Sequence, residues 1–314
     1  MSKMNVYNVT NEKNSYIKEN KMTLSRFEVF YTVVESGSLT KAGEILNLTQ
    51  SGISHAITSL ETELGFSLLT RGRAGICLTS NGERMLSYIR DILILNDRMK
   101  QEAAAINGVE VGIVRIGTFT SVTTQWLPHI IKQFQDDHPG IVLKLFEGDY
   151  STLEQWISNG EIDCGFLTLP TPKSFEFLPL KKDRMLCILS DQHPFHELDN
   201  ITFKQIEAES LIMPKEGWDN EINQIFKENN IKPNVKFEVS DDQAIMAMVQ
   251  NNLGISIRPE MTLSHVPNNV RILNLEKESF RFIGIATKPN ISPATKKFID
   301  CVHSWLSDQN LLDM

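Results

Sequence analysis

Between Thr49 and Leu64 the apolar residues Ile53, Ala56, Ile57, Leu60 and Leu64 recur at the i, i+3, i+4, i+7 and i+11 spacing of one helical face. Gln50, Ser51, Ser54, His55, Thr58 and Thr62 fall on the opposite face. A solvated helix face is usually rich in Lys and Glu. This one carries short hydroxyls, an amide and an imidazole, groups able to reach base edges or phosphates. The plainer reading, an ordinary wet surface, applies to each residue singly.

Upstream, Leu39, Ala42, Gly43 and Leu46 repeat the stripe, Ser38 is placed as an N-cap, and Asn47-Leu48-Thr49 breaks the pattern as a tight turn. The pattern predicts helix, turn, helix. An earlier helix from about Thr23 to Glu35 contributes Phe27, Phe30, Tyr31 and Val34 and ends at Ser36-Gly37. Leu68-Leu69-Thr70 and Ile76-Cys77-Leu78-Thr79 are β-prone runs around Arg71-Gly72-Arg73-Ala74-Gly75, a hairpin with a basic tip. Residues 22–80 are therefore expected to form a mainly α-helical winged helix-turn-helix, after a disordered extension over 1–21.

From Asn81 to Ile106 one long helix is predicted, in which Met85, Ile89, Ile92, Asn96, Met99, Ala103 and Ile106 alternate spacings of four and three. That is a heptad seam, and a polar residue such as Asn96 on it can fix register and strand number. Met85, Ile89, Ile92, Asn96 and Met99 are the dimerisation candidates; the other reading packs the same stripe on the chain's own later domain. Gly108 and Gly112 end the helix and supply a hinge, so 81–110 is read as linker.

Beyond residue 110, β-prone runs alternate with helical ones: Val114–Gly117, Trp126–Asp137, Ile141–Phe146, Leu153–Asn159 and Ile162–Leu167, a βαβαβ unit with a parallel sheet. A second set follows at Met185–Leu189, Leu211–Met213, Asn220–Glu228, Val235–Val239, Asp241–Asn251 and Ile255–Ile257. Arg281–Thr287 and Pro293–Ser307 are expected to return to the first set. The reading is a two-lobed α/β domain over 111–314, with lobes at about 111–183 plus 284–308 and about 184–283, and two crossovers beside a cleft. Strand carboxyl ends and helix N-termini face such a cleft and suit an anion. Thr118, Thr120, Ser121, Thr168, Pro214, Lys215 and Arg258 occupy those ends. A guanidinium at Arg258 could pair a carboxylate or phosphate bidentately, or instead form a surface pair with Glu260.

The run GSLTKAGEILNLTQSGISHAITSLETELGFSLLTR at 37–71, followed by LTSNGE at 78–83, resembles the LysR-type transcriptional regulators. The resemblance continues more weakly through the second half. It implies a winged helix-turn-helix joined to an effector domain of the periplasmic-binding-protein type. Thr40, Gln50, Ser51, Ser54, His55 and Thr58 then sit where that family contacts DNA, with Arg71 and Arg73 on the wing. Ser51 stands where Pro is frequent and His55 where Arg is frequent, two departures that bear on the operator sequence; Arg258, in the effector half, stands where an apolar residue is usual. The implied partners are duplex DNA with inverted half-sites, a small effector, a second copy of the chain, tetramers formed as dimers of dimers, and RNA polymerase.

Composition narrows this further. With 41% hydrophobic and 22% charged residues in 314, the chain is an ordinary globular protein long enough for two or three domains. No apolar run marks a membrane span and no apolar h-region marks a secretory signal. Cys77, Cys164, Cys187 and Cys301 stand apart without a CxxC pair, which suits reduced thiols in a cytoplasm. Residues 23–80 hold four basic and five acidic side chains, so this segment is no polycation; residues 1–110 balance 12 against 12, leaving 19 basic and 27 acidic beyond. His193-Pro-Phe-His196 reads as a turn, since no third metal ligand is evident. Cys164 lacks an adjacent base, and Cys301 and His303 lie on different helix faces. No GxSxG, Walker or GxGxxG motif occurs. No catalytic residue, metal or cofactor is assigned. An enzyme or a transport-linked binding protein on the same two-lobed fold are the rival readings.

Overall fold

A computed structural model describes residues 23–72 and 75–312, dividing the chain into two compact units at Asn96 and Asp97. The extension expected over 1–21 and the wing-tip residue Arg73 lie outside the described residues, as does the side chain of Arg71.

In the first unit α1 (Leu24–Ser36), α2 (Leu39–Leu46) and α3 (Gln50–Leu64) are followed by the antiparallel hairpin β1 (Leu69–Gly72) and β2 (Gly75–Leu78), and then by the start of α4 (Ser80–Ile106), which runs on past Asn96. The ends follow from local chemistry. The Ser38 hydroxyl accepts from the Lys41 N–H, the Thr49 hydroxyl accepts from the Gly52 N–H at 3.1 Å, and Gly37, Asn47 and Gly65 close the three helices in left-handed conformations. Phe27, Phe30, Val33, Ala42, Ile53, Leu60 and Leu68 form one shared core. Gly82 explains how α4 joins it: a β-carbon there would lie 2.1 Å from the Leu68 carbonyl oxygen, so only glycine permits the approach.

The heptad seam needs correction at its start. Ile89 is buried in the core of the first unit and Met85 packs against it, because the first turns of α4 close the open side of the three-helix cluster. Tyr88, Ile92, Leu95, Met99 and Ile106 are the large apolar residues that α4 leaves exposed. They too are spaced by fours, threes and a seven; Ile92, Met99 and Ile106 belong to the seam read from the sequence, while Tyr88 and Leu95 stand one position before Ile89 and Asn96.

The second unit begins with β3 (Gly112–Thr118), α5 (Thr120–Gln125), α6 (Leu127–Asp137), β4 (Ile141–Glu147), α7 (Tyr150–Asn159) and β5 (Cys164–Thr168). β3 lies between β4 and β5, parallel to both. There follow β6 (Glu176–Ser190), β7 (Asn200–Ile201), α8 (Phe203–Ala208), β8 (Ser210–Pro214), α9 (Asn220–Glu228), β9 (Asn234–Val239), α10 (Asp242–Gln250), β10 (Ser256–Pro259), β11 (Val270–Leu275), β12 (Phe280–Thr287) and α11 (Pro293–Asp308). β12 pairs antiparallel with β5, and Phe298, Val302 and Leu306 of α11 enter the core that holds Ile116 and Phe166. The chain therefore returns to its first lobe. Separate apolar clusters around Leu211, Ile225 and Ile257, and around Ile212, Ile245 and Val249, build the other lobe.

A short strand was expected at Met185–Leu189; β6 instead runs 15 residues and serves both lobes. Its first half pairs with β12 and its second half with β10 and β11. Pro179 and the charged Lys181–Arg184 run hide its first half from an alternation pattern. The register against β12 shifts beside that proline, which has no N–H for the ladder. The lobes thus share a strand.

Candidate functional site

α3 rests on Ile53, Ile57 and Leu60, and this places Gln50, Ser51, His55 and Thr58 in solvent, with Ser54 partly covered. Thr40 of α2 is exposed beside them in the sequence motif. The Thr58 hydroxyl donates to the Ser54 carbonyl at 3.0 Å and the Thr62 hydroxyl to the Thr58 carbonyl at 2.7 Å. Both oxygens keep lone pairs as acceptors. The nearby acids are used internally. Glu61 accepts from the Leu68 and Leu69 N–H groups at 2.7 and 3.1 Å, fastening the hairpin to α3, and Glu63 pairs with Arg26 of α1 at 2.8 Å.

The second unit holds a small cavity of about 40 Å³ walled by Phe119, Thr120, Ser121, Tyr150, Trp218, Glu221, Asp242, Arg258 and Arg281 among others. A larger neighbour of about 280 Å³ shares Thr120, Ser121, Asp242 and Thr262 and adds Gln125, Met246, Met261 and His265. The inner walls are built round two buried guanidiniums. Arg281 donates from Nε to Asp183 Oδ2 at 2.8 Å, with Nη2 2.7 Å from the same oxygen as an ion pair, from Nη1 to the Tyr150 hydroxyl at 3.2 Å and from Nη2 to Ser121 Oγ at 2.8 Å. Arg258 donates from Nη2 to Asp242 Oδ1.

Burial opposes the charge of Arg281, but Tyr150, Asp183 and Glu221 more than offset it, and its pKa lies above the ordinary guanidinium value. Arg258 differs. Burial, reinforced by the neighbouring Arg281 charge, holds it below the ordinary value despite Asp242. Tyr150 is pushed up by burial, with Glu221 adding to the rise and Arg281 opposing it.

Of the residues expected at this site, Thr120, Ser121 and Arg258 line the inner cavity, and the first two also line the larger one. Thr118, Thr168, Pro214 and Lys215 line neither. Thr118 is buried against Thr123, their hydroxyls 3.1 Å apart. Thr168 and Pro214 are buried within sheet pairings, and Lys215 is exposed. The alternative pairing of Arg258 with Glu260 is also corrected: Glu260 pairs with Arg184 at 3.0 Å. Sequence reasoning missed Tyr150, Trp218, Glu221, Asp242 and Arg281. Two signals were available: Arg281 stands within the otherwise apolar run FRFIGIAT, and Glu221 lies four residues before buried Ile225 on the inward face of α9.

Elsewhere, His193 and His196 form a turn, with the His196 N–H donating to the His193 carbonyl at 3.0 Å. Among the described residues no group of three His, Cys, Asp or Glu could hold a metal, and no helix is long and apolar enough to cross a membrane. Burial pushes the Cys187 thiol up to about 12, that of Cys164 well above its usual value, and that of Cys301 up to about 11. The thiolate is the reactive form. A disulfide reagent at pH 8 is therefore expected to titrate exposed Cys77 rapidly and to reach Cys164 and Cys187 only in denaturant. A fast phase that survives Cys77→Ser would contradict this.

Residues 24–83 match the family described as "Bacterial regulatory helix-turn-helix protein, lysR family", and residues 107–307 match the "LysR substrate binding domain". The uncharacterized HTH-type transcriptional regulator YvbU of Bacillus subtilis is 34% identical over 285 residues, covering 89% of this chain and 97% of that one. Full-length CbnR complexed with its target DNA superposes with a TM-score of 0.64 at 21% identity, covering 90% of this chain and all but a hundredth of that one, 99%. The effector-binding domain of QuiR, in complex with shikimate, gives a TM-score of 0.58 at 27% identity over 63% of this chain and 99% of its own.

Proposed function

The chain belongs to the LysR-type transcriptional regulators, and on that premise we propose that it reads an operator of inverted half-sites through paired copies of α3 and answers to a small anionic metabolite held beside Arg258 and Arg281. Members of this family are DNA-binding regulators rather than enzymes. One observation carries the proposal: α3 turns Gln50, Ser51, His55 and Thr58 outward from a helix whose other face is anchored in a complete apolar core. A helix presented this way enters the major groove, where an amide or imidazole reaches base edges.

Pairing follows from α4. Its exposed Tyr88, Ile92, Leu95, Met99 and Ile106 form an apolar stripe at coiled-coil spacing, which a second copy would cover. Dimers of dimers, a contact with RNA polymerase and action in the cytoplasm are proposed on family grounds. The segment 22–80 acts as the reader, 81–110 as the linker and 111–314 as the sensor. An anionic ligand is supported by the placing of two buried guanidiniums, Arg258 and Arg281, on the wall of one cavity. The shikimate held by QuiR is itself a carboxylic acid.

Gel mobility shift with the DNA upstream of the chain's own gene tests the proposal. Gln50→Ala is expected to weaken specific binding by roughly 5- to 150-fold, the range for losing one bidentate base contact. Residues 23–80 hold only four cations against five carboxylates, so the dependence on salt should be shallow. A slope that implies ten or more phosphate contacts, or Gln50→Ala binding as tightly as the parent, would count against α3 as the reader.

A further inference from the structure

We infer that the effector carries its own cation beside its anion, as an α-amino acid does, and that Glu221 receives its ammonium group. The inference rests on the reading that the cavity beside Arg258 holds the effector, and it names the class of that ligand.

Glu221 is 8% exposed, lines the inner cavity, and its Oε1 has no hydrogen-bond partner. Both other carboxylates of the cluster are engaged: Asp183 with Arg281 and the Met261 N–H, and Asp242 with Arg258. A buried carboxylate oxygen without a donor is a costly arrangement, and it becomes favourable once a ligand supplies the donor. The charge of the cluster points the same way. Two guanidiniums, Arg258 and Arg281, stand among three carboxylates, Asp183, Glu221 and Asp242. Arg281 attracts Glu221 electrostatically, but a simple anion would bring no donor for its Oε1. A ligand with both signs answers each group.

The walls suit an ammonium in a second way. Phe119, Tyr150 and Trp218 line the same cavity as Glu221, and aromatic faces attract cations. The carboxylate end of the ligand has Arg258 and the Ser121 hydroxyl as donors. The larger adjoining cavity, about 280 Å³, adds Gln125, Met246, Met261 and His265, so the rest of the ligand is small and without a strong charge.

The test uses the full-length chain and calorimetric titration, backed by thermal shift, against the twenty proteinogenic α-amino acids, their 2-hydroxy-acid counterparts and the corresponding amines. At least one amino acid should bind, and its 2-hydroxy acid should bind roughly 10- to 150-fold more weakly, the loss for one hydrogen bond to a charged group. Glu221→Gln, which keeps the shape of the side chain, should abolish that preference and leave the 2-hydroxy acid within a few-fold of its parent affinity. If a 2-hydroxy acid binds the parent protein as tightly as its amino acid, the ammonium assignment is overturned while the anionic reading stands. If only amines bind, both are overturned. A panel in which nothing binds also overturns the inference. The comparison within the parent protein decides the matter even where the variant fails to fold.

Discussion

Arg281→Met is expected to lower the melting temperature of the second unit by about 10 °C, through the loss of about 3–5 kcal/mol that follows when one partner of a buried ion pair is removed. Its carboxylate partner Asp183 is 1% exposed, and after the substitution it would keep only the Met261 N–H as a donor. Tyr150 and Ser121 would lose a donor as well. The penalty is mainly that of an uncompensated buried charge, so a second change should recover much of it. Arg281→Met combined with Asp183→Leu is expected to melt well above the single variant. Differential scanning calorimetry of both proteins checks this. A single variant within 2 °C of the parent would show that water reaches Asp183 and that the pair is not structural. By contrast, Arg184 and Glu260 form their pair at the surface, and removing it should move stability by no more than about 1 kcal/mol.

Phe30→Ala in the first unit carries the other large effect. Phe30 is fully buried at the junction of α1 with the rest of a small core. Truncating a buried Phe costs about 3–5 kcal/mol, a large part of what a domain of this size possesses. Hydrogen exchange on the intact protein should show α1, α2 and α3 amides exchanging at least a hundred-fold faster, roughly the factor that 3 kcal/mol implies. Amides of the β6 and β12 ladder, whose core shares no residue with Phe30, should keep their rates. Operator binding should fall with the population of folded reader. Unchanged exchange in α3 would mean that this core closes over the cavity left by the phenyl ring.

Much of the architecture was legible in the residues. Helices with strong stripes and local caps, such as α2 behind Ser38 and α3 behind Thr49, follow from contacts within a few residues, and α9 falls on the expected Asn220–Glu228. The withdrawal of Ile89 from the seam on α4 was not legible, because whether it faces a second copy or its own core depends on where the first three helices lie. The same holds at the cavity. Arg258 and Ser121 could be placed from strand and helix ends, but the bond from Arg281 to Asp183 spans 98 positions and that to Ser121 spans 160. Nothing in local spacing announces such partners. Asp242, the first residue of α10, is identified as the partner of Arg258 only by the fold.

The shared strand β6 sets how this cavity can change. Asp183 and Arg281 face each other in register, where β6 and β12 run side by side just before β6 passes into the far lobe. They form a rung at the pivot, and the same guanidinium reaches Tyr150 and Ser121 on the cavity wall. On the function proposed above, the guanidinium that borders the effector is also tied to the strand that both lobes share.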